Sequence, residues 1–321
     1  MPRKQQTFQT VSGPVTMNVP LSYEIKNRLR VKIDSGSIQR RWENVPYASL
    51  HERERMDIYL PNEGEGPFPV ILFIHGGGWG DGAKDYWEVH AGFKALSFGF
   101  AVCCMEYRLA PECPHPAQIH DVKAAIRFLK AHGAEYELDT SRLALWGASA
   151  GGHLASLAGT SANREELTDR SMGCPDESEA VNAVVDWYGP TQVDKMVDDF
   201  VALHRFNDPA EDTGDTVQRI CRTLGCKPVP EEIAAAAKAF SPITYISKDC
   251  PPFLIQHGTA DPMVPVLQSI RFDQALTEVL GEDKVTLDLL HGQGHGSLVF
   301  EGLDNIKRVT DWLYEVMPAG K

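Results

Sequence analysis

The sequence predicts an α/β protein: a mostly parallel central sheet with helices on both faces. Two observations carry this. The runs VILFIH (70–75), FAVCCMEY (100–107) and LALW (143–146) are continuously apolar, as in strands buried on both faces rather than half-wetted ones. Segments of helical period alternate with them: in 116–132, Ile119, Val122, Ile126 and Leu129 recur at helical spacing and Gly133 closes the run. Strands that alternate with helices pair in parallel, because each helix crosses over one face of the sheet.

Each element follows in order. Residues 1–40 are polar and without strong period, an N-terminal extension to the domain. ENVPYA (43–48) and RMDIYL (55–60) read as a strand pair, and the Gly/Pro-rich stretch from Pro61 to Pro69 as a loop. After 70–75, 100–107, the helix 116–132 and 143–146, HLASLAG reads as a further helix. AVNAVVDWY (180–188), PFLIQH (252–257) and VTLDLL (285–290) supply three more strands, and 264–280 and 302–317 two more helices. Residues 190–247 interrupt the alternation with helical patches such as EEIAAAAKAF. They read as a small helical cap over the sheet edge, or as a long crossover without a role in binding. The expectation is one domain over 1–321.

Composition narrows the function classes. A chain that is 43% hydrophobic and 23% charged can build a large core without disulfides or metals. The formal charge of −13 disfavours nucleic acid and anionic membrane as partners, since both would be repelled. No run approaches the ~18 apolar residues of a membrane helix, and MPRKQQTFQTVSGPVT lacks the apolar core of a signal peptide, so a cytoplasmic location is expected. The seven cysteines form no zinc-type CxxC pair. Cys103 and Cys104 read as buried free thiols, and Cys221 and Cys226 as a pair that could bridge in an oxidising compartment. No P-loop, dinucleotide fingerprint or HExxH occurs, so no cofactor and no metal are expected.

The chemistry is concentrated where strands end. In GASAGG (147–152), Gly147-x-Ser149-x-Gly151 stands between an apolar strand and a helix, as a nucleophile elbow requires; small residues that only let the helix pack closely are the bland alternative. A serine hydroxyl is a weak nucleophile and needs a base, a carboxylate to orient that base, and N–H donors for the developing oxyanion. The glycine run His75-Gly76-Gly77-Gly78-Trp79, directly after the strand 70–75, can turn several N–H groups to one point. Ala150, at the start of the following helix, offers another. Asp261 lies in the turn after the strand that ends at His257, at the sheet edge where such folds hold ligands. Asp288 is mid-strand and Asp249 precedes its strand, so both are weaker candidates. His291 and His295 both follow the last strand. His295, between two glycines and far enough out to reach over the edge, is the favoured base, and His257 reads as a structural hydrogen-bonder.

HGGGW (75–79), EYRLAPECPHPAQIHD (106–121), GASAGG (147–152), HGTADPMVP (257–265) and GQGHG (292–296) span most of the chain in one order. In this the sequence resembles the α/β-hydrolase superfamily, and within it the bacterial carboxylesterases related to hormone-sensitive lipase. The family's DYRLAPE reads EYRLAPE here, with Glu106 for Asp, in a segment that chiefly braces the donor loop. The resemblance implies an α/β-hydrolase fold, a Ser149–His295–Asp261 triad, and an oxyanion hole of Gly77, Gly78 and Ala150. The spacing of RMDIYLP and the modest cap are similar to the branch that contains acetyl and feruloyl esterases of plant polysaccharide.

The expected activity is therefore hydrolysis of a small-molecule ester through an acyl-enzyme. An arylformamidase-like amidase or a related serine peptidase would use the same residues, and a binding protein on a hydrolase fold is the rival from another class. Trp79, Trp187 and Tyr188 are expected to line the cleft, and Tyr107 to fill core. Since only Trp187, Tyr188, Phe200 and Phe206 offer apolar surface near the cap, short acyl groups are expected.

Overall fold

The computed structural model describes residues 5–10, 13–18, 32–162, 164–203, 209–227 and 230–319. Two short strands, β1 (Gln5–Thr10) and β2 (Gly13–Asn18), pair antiparallel within the stretch that reads as an irregular extension. The other eight form one sheet: β3 (Arg41–Pro46), β4 (Arg55–Tyr59), β5 (Phe68–Ile74), β6 (Ala101–Met105), β7 (Leu138–Ala148), β8 (Ala183–Trp187), β9 (Phe253–Gly258) and β10 (Val285–Leu290). Their order is β10-β9-β8-β7-β5-β6-β4-β3. All neighbours from β10 to β6 are parallel, and β4 and β3 add an antiparallel edge.

The apolar runs are buried on both faces as expected: every residue of β5 and β6 is buried, and so are residues 143–146 of β7; β8 and β9 are buried throughout as well. Alternate residues serve opposite layers. Val70, Leu72 and Ile74 face α2 (Ala117–His132), α3 (Ala150–Thr160) and α7 (Leu267–Leu280). Ile71 and Phe73 face α1 (His90–Leu96) and α8 (Leu303–Val316). In α8 the spacing of Ile306, Val309 and Leu313 builds one apolar stripe; burying each such side chain contributes about 1.5–3 kcal/mol. The seven-residue α1 has no counterpart in the sequence reading, because two turns are too short to display a period.

Within 190–247 the described residues form helices and no strand: α4 (Met196–Ala202), α5 (Pro209–Leu224) and α6 (Pro230–Ala239). Ile220, Ala237 and Phe240 from this segment join the same core cluster as Trp79, so it packs on the glycine loop. Phe206 lies outside the described residues. The chain runs from β5 out to β6, then crosses back to β7 and onward to β10, so the strand order reverses between β5 and β7. A crevice at the carboxyl ends of the strands is expected at such a reversal.

Candidate active site

The elbow is built by steric necessity. Ser149 follows β7 with φ 56° and ψ −120°, a conformation that costs a non-glycine residue about 1–3 kcal/mol. Its neighbours hold it there: Ser149 N–H donates to Trp187 O (2.8 Å) and His153 N–H to Ser149 O (2.9 Å). The turn is tight enough that a Cβ on Gly147 would stand 2.1 Å from Gly151 O, and one on Gly151 would stand 2.0 Å from Ile74 O. The glycines leave room for backbone, as the spacing implied.

Three loops from three strand ends bring the expected catalytic side chains together. His295 Nε2 is 2.9 Å from Ser149 Oγ, and His295 Nδ1 is 2.7 Å from Asp261 Oδ2. The other Asp261 oxygen accepts the N–H groups of Met263 (2.7 Å) and Val264 (2.9 Å). Burial alone would raise the Asp261 pKa; the His295 charge and hydrogen bonds from His257 and His295 outweigh it and hold the carboxyl well below the usual range. His257 is structural: its Nδ1 bonds Ser269 Oγ (2.6 Å), its Nε2 bonds Val264 O (3.0 Å), and Nε2 stands 3.4 Å from Asp261 Oδ2. His291 is exposed, and Asp288 is occupied by Arg308 Nε at 2.6 Å.

The glycine loop is oriented peptide by peptide. In a trans peptide the N–H and the C=O point in opposite directions. Gly76 O accepts from His75 Nδ1 (2.7 Å), which turns Gly77 N–H away from His75. Gly77 O accepts from Gly80 N–H (3.3 Å) and Asp81 N–H (3.1 Å), which turns Gly78 N–H likewise. Gly77 and Gly78 take φ of +111° and +59°, which favour glycine. Among the described residues no acceptor engages the N–H of Gly77, Gly78 or Ala150. Tyr107, in the EYRLAPE segment, stacks on His75 (4.3 Å) and donates its hydroxyl to His75 O (3.0 Å), and Ala110 N–H holds Trp79 O (2.9 Å). Burial pushes the His75 pKa down to about 4, so the imidazole stays neutral and keeps its single ring donor.

The aromatic expectations need correction. Trp187 is 1% exposed and packs against Trp146, Tyr188 and Phe300, so its ring fills core instead of lining a cleft. Trp79 and Tyr188, each 4% exposed, also serve as packing. Tyr188 lays its ring 4.6 Å from the His295 ring, edge to face. Trp79 donates Nε1–H to His153 Nδ1 (3.1 Å), and His153 Nε2–H donates to Phe240 O (2.7 Å). His153 therefore joins the glycine loop to the helix that follows Ser149 and to the residue that follows α6. Burial lowers its pKa to about 3, which keeps it neutral. The sequence reading missed this residue; its signal was its place four residues after Ser149, one helical turn along.

Among the described residues no cluster of three or more His, Cys, Asp or Glu could hold a metal ion, and no helix is long and apolar enough to cross a membrane. Cys221 and Cys226 are both thiols, with Cys226 N–H bonded to Cys221 O (3.1 Å).

The family model BD-FAE matches residues 56–276, well over half of the chain. The chain belongs to the BD-FAE family. Relatives of this BD-FAE chain include two from Mycobacterium tuberculosis. "Esterase LipC" is 33% identical over 240 residues, covering 74% of this chain and 55% of that protein. "Esterase LipQ" is 29% identical over 237 residues, covering 73% and 52%. The chain thus spans about half the length of the curated relatives it matches. Among solved structures, a truncated carbohydrate esterase from gut microbiota superposes with a TM-score of 0.75 at 30% identity, over 89% of this chain and 99% of that one. A bifunctional GH43-CE protein of Bacteroides eggerthii gives a TM-score of 0.73 at 32% identity, over 87% of this chain and 35% of that one. The fold of the BD-FAE chain is the α/β-hydrolase fold, as its motifs implied.

Proposed function

We propose that this chain is a serine carboxylic ester hydrolase, and that its substrates are short-chain acyl esters of carbohydrate hydroxyls. The observation that carries the reading is the unbroken hydrogen-bond line Ser149 Oγ–His295–Asp261 beside three N–H groups that no acceptor among the described residues engages. In this mechanism Ser149 Oγ attacks the ester carbonyl and passes its proton to His295 Nε2. Asp261 keeps the Nδ1 proton of His295 in place and stabilises the imidazolium that forms. The carbonyl oxygen, now negative, accepts from Gly77, Gly78 and Ala150; one such donor is worth about 2.7–4 kcal/mol in the transition state. The imidazolium returns the proton to the leaving alkoxide, which departs as the alcohol. Water, deprotonated by His295, then releases the acid from Ser149.

Two findings favour small acyl groups on sugars. Each methylene of a long acyl chain gains about 0.8 kcal/mol only if it is buried. Trp79, Trp187, Tyr188 and Phe200 are already buried by the protein itself, so their rings offer little surface to such a chain. The carbohydrate part is supported by the carbohydrate-esterase neighbour at 30% identity.

The test is a fluorophosphonate label mapped by mass, followed by a panel of p-nitrophenyl esters and of acetylated and feruloylated oligosaccharides. Labelling at Ser149, with kcat/KM falling beyond about six acyl carbons, is the expected outcome. Labelling elsewhere would overturn the nucleophile, and a best substrate of octanoate or decanoate would overturn the acyl preference.

A further inference from the structure

The glycine loop holds three consecutive N–H groups, and the first does not face the candidate oxyanion site. Gly76 N–H donates to Glu88 Oε2 at 2.5 Å. Both Glu88 carboxylate oxygens lie 2.8 Å from the point where a Gly76 Cβ would stand, and Ala148 O lies 2.9 Å from it. The residue as a whole is half-buried, but its carboxyl is pressed against loop backbone beside the strand end that carries Ser149. Only the missing side chain of Gly76 makes the seat possible.

The seat is held from behind. Glu88 belongs to the single turn Trp87–Val89 ahead of α1; Val89 is fully buried, and Trp87 Nε1–H is bonded to Glu301 at 2.9 Å. Gly76 is thus gripped at both ends, its N–H by Glu88 and its C=O by His75. The second grip directs Gly77 N–H, since the two groups share a peptide plane. The first removes the rotation about Gly76 that would let this plane swing, a freedom glycine otherwise has.

We propose that Glu88 is a positioning residue for the oxyanion hole, acting by accepting the Gly76 N–H and so fixing the direction of the Gly77 and Gly78 N–H groups. The inference rests on the esterase reading of this site. Desolvation pushes the Glu88 carboxyl up to about 7, against the pull of the Gly76 N–H and the His295 charge, and Glu301 adds to the rise. The protein therefore keeps a carboxyl here despite its cost, where only an acceptor is needed.

Glu88→Gln keeps an acceptor oxygen of the same reach; Glu88→Met keeps the volume and has none. On p-nitrophenyl acetate, Met should lower kcat about 10–100-fold, less than loss of a whole oxyanion donor, with KM within about twofold. Gln should recover most of that loss, and fluorophosphonate labelling of Ser149 should slow in parallel with kcat. A Met variant as active as wild type, a Gln variant as poor as Met, or a loss confined to KM would overturn the proposal. If wild type neither hydrolyses the ester nor labels, the esterase reading falls and this inference with it. If wild type does both, those variant outcomes refute the role of Glu88 alone.

Discussion

Replacing Asp261 by Asn is expected to leave the fold in place and to abolish most of the activity by changing a tautomer. Asp261 Oδ1 accepts two backbone N–H groups, from Met263 at 2.7 Å and Val264 at 2.9 Å. An asparagine must keep its carbonyl oxygen there, because the flipped amide would set its NH₂ against two donors. Its Nδ2 then occupies the place of Oδ2, 2.7 Å from His295 Nδ1, and donates to that nitrogen. The proton of neutral His295 is forced onto Nε2, which points at Ser149 Oγ from 2.9 Å and can no longer accept the hydroxyl proton. A wrong tautomer in a Ser–His–Asp triad costs roughly 10⁴ in kcat, about 5.5 kcal/mol of barrier. KM should change little, since Asp261 is fully buried and does not reach a substrate. The assay is steady-state hydrolysis of p-nitrophenyl acetate, alongside a melting curve to establish folding. A folded Asp261→Asn protein retaining more than a tenth of the wild-type kcat would refute the argument.

Three other outcomes follow from the same geometry. Ser149→Ala and His295→Ala should each lower kcat by roughly 10⁴-fold while His291→Ala keeps most activity, measured on the same ester; a reversal of the two histidines would move the base to His291. Gly151→Ala should destabilise strongly, because the new Cβ would stand 2.0 Å from Ile74 O; overpacking of this kind costs about 1–3 kcal/mol or more, and an unshifted denaturation midpoint would contradict it. Stability should fall on acidification from about pH 6.5 to pH 4. Burial lowers His75 and His115 to about 4 and His153 to about 3, so the unfolded chain takes up their protons first and the stability they contribute is lost as pH falls. Burial raises Glu88 to about 7 and Asp121 to about 6, so these two contribute stability that is lost as pH rises, the opposite sign. His120, Asp139, Asp169 and Asp261 are lowered as well and Asp186 and Asp273 raised, which leaves the balance on the side of acid lability; melting temperatures that hold constant or rise between pH 6.5 and 4.5 would overturn it.

Where local rules decide, the sequence sufficed. Continuous short apolar runs fit strands covered on both faces, so β5, β6 and the core of β7 were visible as runs of letters. The elbow was visible because its constraint is local: Gly147 and Gly151 are two residues either side of Ser149, and their need for space comes from the turn itself and the adjoining strand. Asp261 and His295 could be selected because each stands just beyond a strand end, which in a parallel sheet means the same edge as Ser149.

What only the tertiary structure decided is which side chains meet across elements distant in the chain. Trp187 sits at a strand end and reads as cleft-lining, yet α8 and the loop before it cover that face and bring Phe300 against the ring. Glu88 carries no motif; it matters because the turn ahead of α1 folds back on Gly76, twelve residues earlier. His153 lies on the helix that starts directly after Ser149, but its partners, Trp79 and Phe240, are 74 residues before it and 87 after it. Periodicity and spacing report the energy of a segment with its own neighbours in sequence. Contacts such as these depend on how layers stack over the sheet, and no single segment contains that information.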